Sequence, residues 1–181
     1  MHAIRAYEFG EPEVTKIMEV PDQEPGPGEV VVEVRAAVVN PVDTYICSGA
    51  YRPDLPLPYT PGIDGAGIIT AVGPAVKHRR VGERVYVAWC LSGTYAGKVL
   101  CTEFQTHRLP EHVTFSQGAA IGVPCGAAFR ALFQRARAVA GDTVLVHGAS
   151  GGVGIAAVQL AKAAGMWVIG TAGSQRGPKA A

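Results

Sequence analysis

The sequence predicts an α/β protein with a β-rich N-terminal part followed by the opening of an α/β domain, and three observations support this class. Ten of the 13 prolines fall at or before position 74. Up to about residue 110, short β-branched runs are broken by Pro and Gly, whereas the chain from Ser116 onward is rich in alanine and other helix formers. We therefore expect a first domain over residues 1–122 and the start of a second over residues 123–181.

Composition indicates an ordered protein. Of the 181 residues, 48% are hydrophobic and 17% are charged, which allows a buried core and argues against disorder. The formal net charge of +1 provides no long-range attraction to nucleic acid or to an anionic membrane. The sequence has no run of 18 apolar residues and no apolar signal core at its start. We expect a soluble cytoplasmic protein without nucleic-acid or membrane partners.

The four cysteines, Cys47, Cys90, Cys101 and Cys125, are scattered along the chain. They form no C-x-x-C motif and no Cys/His cluster at metal-binding spacing. The sequence therefore predicts free thiols in a reducing compartment and no metal site.

The N-terminal part is predicted to contain six short strands, whose spacing is typical of a small barrel or sandwich. They cover residues 3–9, 15–20, 29–39, 64–73, 82–87 and 99–105. Between the third and fourth strands, residues 51–62 contain four prolines and are expected to form a stiff surface loop.

A short helix is predicted directly after the third strand. Asn40 is a suitable N-cap, Pro41 suits the first helical position, and Asp43 is placed to reach back to the cap. Capping alone accounts for these three residues. The segment also brings polar groups, with Tyr45 and Tyr51, to the end of a strand, which is a common lining of clefts.

Two further helices are predicted beyond residue 110. Ser116 is the expected cap of a short one, and residues 124–137 form a longer one. The longer helix is expected to direct Ala128, Leu132 and Phe133 into a core.

One βαβ unit follows. Residues 143–146 have the length and β-branched content of a buried parallel strand, and glycines follow at once. Residues 153–164 are good helix formers, Gly165 occupies the position of a left-handed cap, and residues 166–169 form the second strand.

The glycine turn of this unit is the candidate cofactor site. Glycines in such a turn let the backbone approach a pyrophosphate, which then faces the free N–H groups and the positive end of the helix. Because a strand precedes the glycines and a helix follows them, we favour dinucleotide binding over a glycine-rich turn that binds nothing. The predicted contacts are Ala149, Ser150, Gly151, Gly152, Val153 and Gly154.

The identity of the dinucleotide follows from the residues after the second strand. NAD-binding units carry an acidic residue about 20 positions past the glycines. Residues 143–181 contain no acidic residue, and they end with hydroxyl and basic side chains that suit a 2′-phosphate. NADP(H) is therefore favoured over NAD(H), although the basic residues also suit an ordinary solvated surface. The predicted 2′-phosphate contacts are Thr171, Ser174, Arg176 and Lys179.

An ordered set of motifs along the chain resembles a known family. It resembles the zinc-independent quinone oxidoreductases, the ζ-crystallin-like branch of the medium-chain dehydrogenase/reductase superfamily. The motifs are Phe-Gly-x-Pro-Glu-Val at 9–14, Asn-Pro-Val-Asp-Thr-Tyr at 40–45, Pro-Gly-Ile-Asp-Gly-Ala-Gly at 61–67, Gly-Glu-Arg-Val at 82–85, Gln-Gly-Ala-Ala at 117–120 and His-Gly-Ala-Ser-Gly-Gly-Val-Gly at 147–154.

The resemblance implies a GroES-like β-barrel domain, the first βαβ unit of a Rossmann domain, and NADPH as hydride donor to a quinone or another α,β-unsaturated carbonyl. It implies a site without zinc, because the metal-ligand positions of zinc-dependent relatives hold Asn40 and the pair at 63–64. Carried over by position, the residues lining the catalytic cleft are Asn40, Asp43, Tyr45 and Tyr51. The complete protein is expected to be a homodimer.

Three departures from the family pattern are visible. Ala127 replaces a Thr that touches the nicotinamide end in relatives, and Lys98 stands where Glu-Tyr is expected. A Rossmann domain needs about six strands, and this sequence stops after the second, which predicts either a fragment or a truncated gene product. Two other functions stay open: an enoyl-thioester or alkenal reductase of the same superfamily, and a non-catalytic, truncated nucleotide-binding paralogue.

Overall fold

The computed structural model describes residues 1–173. The chain divides into two compact units, a first unit over Met1–Gly122 and a second unit that begins at Val123. Three predicted 2′-phosphate contacts, Ser174, Arg176 and Lys179, lie outside the described residues.

Antiparallel strands dominate the first unit. β1 pairs with β2, and the other five strands form one sheet in the order β6-β3-β4-β5-β7. The mixed α/β class with a β-rich N-terminal part is confirmed. The strands are β1 (His2–Ala6), β2 (Thr15–Glu19), β3 (Glu29–Val38), β4 (Asp64–Val72), β5 (Arg84–Ala88), β6 (Lys98–Thr102) and β7 (Thr106–Arg108).

The core of the first unit lies on the central strands of this sheet. β-branched residues fill it because their stiff side chains pack well on a pleated surface. The core cluster comprises Val30, Val32, Ile69, Val85, Val87, Val99 and Cys101, each at most 1% exposed. This core gives β4 a fixed position, and β4 begins at the buried Asp64.

Two α-helices and two short 3-10 helices, Pro12–Val14 and Glu103–Gln105, belong to the first unit. α1 (Pro41–Cys47) begins after Asn40 as predicted. α2 (Phe115–Ala119) is capped by Thr114 and not by Ser116, so that prediction was wrong. The Thr114 Oγ1 accepts from the Gln117 N–H at 3.2 Å, and the Gln117 Oε1 accepts from the Thr114 N–H at 2.9 Å. This reciprocal pair satisfies two N–H groups that a cap at Ser116 would leave open.

The predicted helix over 124–137 is two elements. α3 (Gly122–Phe129) is α-helical, and Arg130–Arg135 forms a π-helical turn. Ala128 and Leu132 are buried as predicted. Among the described residues 1–173, no helix has the length and apolar character needed to cross a membrane.

The predicted βαβ unit is confirmed. β8 (Thr143–Val146) and β9 (Trp167–Gly170) are parallel, and α4 (Gly152–Ala163) connects them. Gly165 follows α4 with a φ of +79°, the left-handed conformation expected of a cap.

The burial expected for the strand over 143–146 holds on one face of the β8–β9 pair only. Val144 and Val168 pack against a cluster built on α3 and α4. On the other face, Leu145 is 56% exposed, Trp167 72% and Ile169 56%. Because Leu145 is exposed, the prediction of a buried strand was wrong for β8.

Candidate functional site

The turn between β8 and α4 is shaped by glycines. Gly148 has a φ of +68°, which side-chain-bearing residues rarely adopt. Its carbonyl accepts from the Gly151 N–H at 2.9 Å, and Gly151 is the N-cap of α4. The helix therefore starts at Gly152, and its first N–H groups have no acceptor within the helix. These groups and the helix dipole make the turn suited to an anionic group.

The glycines of the turn have different roles. A Cβ on Gly154 would lie 2.1 Å from the Gly148 carbonyl oxygen, so Gly154 permits the helix to pack against the turn. The nearest atoms to a Cβ on Gly151 and Gly152 would be 3.4 and 3.8 Å away. A Cβ at either glycine would make only ordinary van der Waals contact, and both residues are exposed at the surface.

Backbone bonds bring the end of β9 against this turn. The Thr171 N–H donates to the Val146 carbonyl at 3.0 Å, and the Thr171 carbonyl accepts from the Ala149 N–H at 2.8 Å. The Thr171 Oγ1 lies 3.1 Å from the His147 Nδ1. The predicted contacts Ala149 to Gly154 and Thr171 therefore lie at one edge of the βαβ unit.

Among these predicted contacts, burial separates two groups. Ala149 and Gly154 are buried and hold the turn together. Ser150, Gly151, Gly152 and Val153 are exposed at the surface. A phosphate group approaching the turn would meet the second group.

In the first unit, Asn40 is buried and oriented by a carboxylate. Its Nδ2 donates to the Asp64 Oδ2 at 3.1 Å, and the two residues are 4% and 0% exposed. A Cβ on Gly122 would lie 2.2 Å from the Asp64 Oδ1, so the chain packs tightly over this pair. One amide hydrogen of Asn40 is thus engaged by the Asp64 carboxylate.

Asp43 is buried beside Asn40. Its Oδ2 accepts from the Asn40 backbone N–H at 2.7 Å and from the Tyr95 hydroxyl at 2.9 Å. Its Oδ1 is buried and has no hydrogen-bond partner among residues 1–173. Burial raises the pKa of the Asp43 carboxyl, and the two hydrogen bonds oppose that rise. Asp43 therefore holds α1 and Tyr95 in place, and one of its oxygens is uncompensated.

Tyr45 and Tyr51 differ from Asn40 and Asp43 in exposure. Their side chains are 56% and 55% exposed, and the Tyr51 N–H donates to the Tyr45 carbonyl at 3.1 Å. The structure thus joins the two buried polar residues in one hydrogen-bonded group and places the two tyrosines together at the surface.

A cavity of about 760 Å³ lies within the first unit. Its lining includes Asp43, Tyr59, Cys90 and Trp89, but not Asn40, Tyr45 or Tyr51. Burial raises the pKa of the Tyr59 hydroxyl, and the nearby Cys47 and Asp43 raise it further. Burial also raises the pKa of the Cys90 thiol to about 11. The Tyr59 and Cys90 side chains are therefore uncharged near neutral pH, whereas the charged residues of the lining are Asp43, Arg5, Asp22 and Arg52.

Sequence reasoning missed three residues of this region. Tyr95 and Trp89 carried no sequence signal, because their roles depend on contacts with distant residues and on backbone conformation. Asp64 lies in the Pro-Gly-Ile-Asp-Gly-Ala-Gly motif, and a carboxylate between glycines at the start of an apolar strand was a usable signal for a buried polar contact.

Within residues 1–173, no three His, Cys, Asp or Glu side chains group closely enough to hold a metal ion.

Comparison with known proteins gives a family match and close relatives. Residues 26–143 match the family model described as alcohol dehydrogenase GroES-like domain. The quinone oxidoreductase of Rattus norvegicus is 52% identical over 180 residues, which are 99% of this chain and 55% of that protein. The chain thus spans about half the length of the curated relatives it matches.

Solved structures extend the comparison. The quinone oxidoreductase of Escherichia coli, complexed with NADPH, is 34% identical with a TM-score of 0.89, and the match covers 99% of this chain and 55% of that one. A structure described as an NAD-dependent alcohol dehydrogenase is 33% identical with a TM-score of 0.93, over 99% of this chain and 60% of that one.

Proposed function

The chain belongs to the alcohol dehydrogenase GroES-like domain family, within the medium-chain dehydrogenase/reductase superfamily, and on that premise we propose that it is part of an NADPH-dependent quinone oxidoreductase. The proposed reaction transfers hydride from NADPH to a quinone or a similar α,β-unsaturated carbonyl.

The glycine turn between β8 and α4 is the observation that carries this proposal. The exposed backbone at Gly151 and Gly152 adjoins the N-terminus of a 12-residue helix, where a pyrophosphate would meet free N–H groups. A turn of this shape between parallel strands is the usual dinucleotide site of a doubly wound sheet.

We favour NADPH over NADH for three reasons. No acidic residue occurs from Thr143 onward to hold a ribose 2′-hydroxyl, and Thr171 lies at the edge where the adenosine ribose would sit. The Escherichia coli relative was solved with NADPH. The structural relative described as NAD-dependent makes NADH the necessary control.

Zinc-independence is proposed from the chemistry of the donor groups. The positions corresponding to metal ligands hold an amide, an alkyl chain and a carboxylate, in Asn40, Ile63 and Asp64, and the amide donates to the carboxylate. Zinc sites prefer thiolate and imidazole ligands. Quinone reduction needs hydride and a hydrogen-bond donor near the developing oxyanion, and we assign Asn40, Asp43, Tyr45 and Tyr51 to that region.

A thermal melt of this chain with NADPH, NADH or neither nucleotide tests the cofactor proposal. A ligand at 100 times its dissociation constant stabilises the folded state by about 2.7 kcal/mol. We expect a cooperative transition that NADPH moves to higher temperature and NADH does not. Equal shifts by both nucleotides would contradict the NADPH preference, and no shift would contradict binding at the turn.

A matched pair of variants assigns the shift to the turn. Gly152→Asp places a carboxylate in the first helical turn. The carboxylate interacts favourably with the helix dipole but repels a pyrophosphate. We expect an unliganded midpoint at or above that of wild type and loss of the NADPH shift. Gln159→Glu adds the same charge two turns later on an exposed position of α4 and should keep the shift.

A further inference from the structure

Basic residues are concentrated in one short loop of the first unit. Residues 77–84, which lead from β4 into β5, contain four of the 16 Lys and Arg residues of the chain and one of its 15 acidic residues. The net charge of +1 averages over all 181 residues and hides this asymmetry. A cluster of like charge creates a local potential that the total charge does not describe. The loop is therefore a candidate surface for an anionic partner.

A mainly basic groove of about 610 Å³ lies along this loop. Five Lys or Arg side chains line it, four from the loop and Arg108 from β7, together with Glu83 and Glu111. The Arg84 Nη1 donates to the Glu111 carbonyl at 2.8 Å, which fixes the guanidinium without neutralising its charge. The Arg79 Nη1 lies 4.0 Å from the Glu83 Oε1, so one charge of each sign is compensated there. A surplus of positive charge remains along the groove.

Buried contacts hold the loop in a fixed shape. Glu103 is 6% exposed, and its Oε2 accepts from two successive loop N–H groups at 3.0 and 2.9 Å. The Arg79 Nε donates to the Thr106 carbonyl at 3.2 Å. With Glu103 included, the region still holds five basic side chains against three acidic ones. Lys77 and Arg80 remain exposed at the surface, and a surface formed in advance loses less conformational entropy when a partner binds.

Apolar side chains project from the same region. Phe104 is 76% exposed, and its ring centroid lies 6.4 Å from that of His78. Val81 is 60% exposed, within a turn that the Glu83 N–H closes on the Arg80 carbonyl at 3.2 Å. Binding to a lipid surface combines burial of apolar side chains with attraction of basic ones to anionic headgroups. Both components are present in this part of the first unit.

We propose that residues 77–84 and Phe104 form a docking surface for a lipid bilayer with anionic headgroups. Lys77 and Arg80 contact the headgroups, while Phe104 and Val81 enter the interfacial layer. Single-stranded nucleic acid is bound by aromatic side chains on which successive bases stack. Val81 is aliphatic and offers no such stacking, so its exposure favours lipid as the partner.

This proposal replaces the expectation of no membrane partner, which rested on the net charge of the whole chain. Docking of this kind is peripheral and needs no membrane-spanning helix. The surface lies wholly within the first unit and depends neither on the proposed cofactor nor on the proposed reaction.

Vesicle flotation at about 0.15 M salt tests the surface. The vesicles consist of phosphatidylcholine alone, or of phosphatidylcholine and phosphatidylserine in a two-to-one ratio. We expect binding to the mixed vesicles only. Each basic residue near an anionic surface changes the affinity about fivefold, so Lys77→Gln combined with Arg80→Gln should weaken binding about 25-fold. Lys16→Gln combined with Arg135→Gln makes the same change in net charge at exposed positions elsewhere and should retain binding.

Phe104→Ser tests the apolar component. We expect binding to the mixed vesicles to weaken about tenfold, with an unchanged thermal midpoint because the side chain is 76% exposed. Ile17→Ser removes a side chain that is 74% exposed on β2 and should bind as wild type does. Equal binding by Phe104→Ser and wild type would contradict insertion of the ring.

Three results would overturn the docking surface itself. The first is equal binding to both kinds of vesicle, and the second is equal loss of binding in the two double variants. The third is no binding to the mixed vesicles. If in that case a single-stranded oligouridine binds wild type and not the variant altered at Lys77 and Arg80, the surface belongs to nucleic acid. No nucleotide cofactor or quinone is present in these measurements, so the proposed function stands or falls separately.

Discussion

The two units bury their sheets in different ways. In the first unit, Ile69 and its neighbours on the central strands are at most 1% exposed. In the second, Val144 and Val168 pack against helices, whereas Trp167 and Ile169 on the opposite face are 72% and 56% exposed. Parallel strands are normally covered on both faces, and their sequences are apolar throughout for that reason. An apolar strand sequence is therefore typical of a strand that is buried on both faces. Within residues 1–173, only one face of β8 and β9 is buried.

This difference has an energetic consequence. The buried members of the core cluster of the first unit all lie on strands of that unit, so its stability should depend strongly on single core side chains. The exposed face of the second unit loses little when one of its side chains is shortened, because no packing is lost. Isoleucines on strands of each unit, Ile69 and Ile169, make the comparison testable with one substitution.

The largest expected effect is that of Ile69→Ala. Ile69 is fully buried in the core cluster, and truncation removes transfer free energy and leaves a cavity. We expect a loss of about 2–5 kcal/mol in the free energy of unfolding, measured by urea denaturation of the first unit. A loss below about 1 kcal/mol would mean that the sheet is not the stabilising core of this unit.

A smaller effect is expected from Gly165→Ala in the second unit. Gly165 ends α4 with a φ of +79°, and its added Cβ would lie 3.4 Å from the Ala140 Cβ. Strain in the left-handed region should reduce stability by about 1 kcal/mol. The check is the unfolding midpoint of the second unit, followed by a helix signal, with Ala164→Gly as a control that changes the adjacent position without requiring positive φ.

Local sequence signals predicted the βαβ unit and the start of α1. The strand over 143–146, the left-handed Gly165 and the helix start at Asn40 each depend on a few neighbouring residues. The cap of α2 was misassigned although Thr114-x-x-Gln117 was legible as a capping box. The continuous helix over 124–137 was wrong, because nothing in its alanine-rich sequence distinguishes a π-helical turn from an α-helix.

The polar groups of the first unit were less accessible to prediction. Asn40 was recognised, but its partner Asp64 is 24 residues away, and the Asp43 partner Tyr95 is 52 residues away. Such pairs depend on strand register and on the path of long loops, which hydrophobic patterning does not specify. The φ of +61° at Trp89 is likewise imposed by contacts with other segments, as the bond from its N–H to the Ile63 carbonyl indicates.

Asp43 provides a pH-dependent prediction for the first unit. Burial raises the pKa of its carboxyl in the folded state above the unfolded value of about 3.9. Between those two pKa values the folded state binds more protons, so stability falls as pH rises through this acidic window. Asp43→Asn removes the titration and keeps an oxygen that accepts from Asn40 and Tyr95.

We therefore expect the stability of Asp43→Asn relative to wild type to increase as the pH rises from about 4 and to level off above the folded pKa. Urea denaturation at a series of pH values measures this difference. A relative stability that decreases with rising pH would mean that the hydrogen bonds from Asn40 and Tyr95 outweigh burial. In that case the carboxylate would be the favoured form in the cavity wall.

The smallest effect is expected for Ile169→Ala, the counterpart of Ile69→Ala. Ile169 lies on β9 and is 56% exposed, so its truncation leaves no internal cavity. We expect a change within about 0.5 kcal/mol in the free energy of unfolding of the second unit. A loss comparable to that of Ile69→Ala would require that some surface covers this face in solution. The measurement is then repeated at lower protein concentration. If the loss in the free energy of unfolding disappears on dilution, the surface that covers Ile169 belongs to a second copy of the chain.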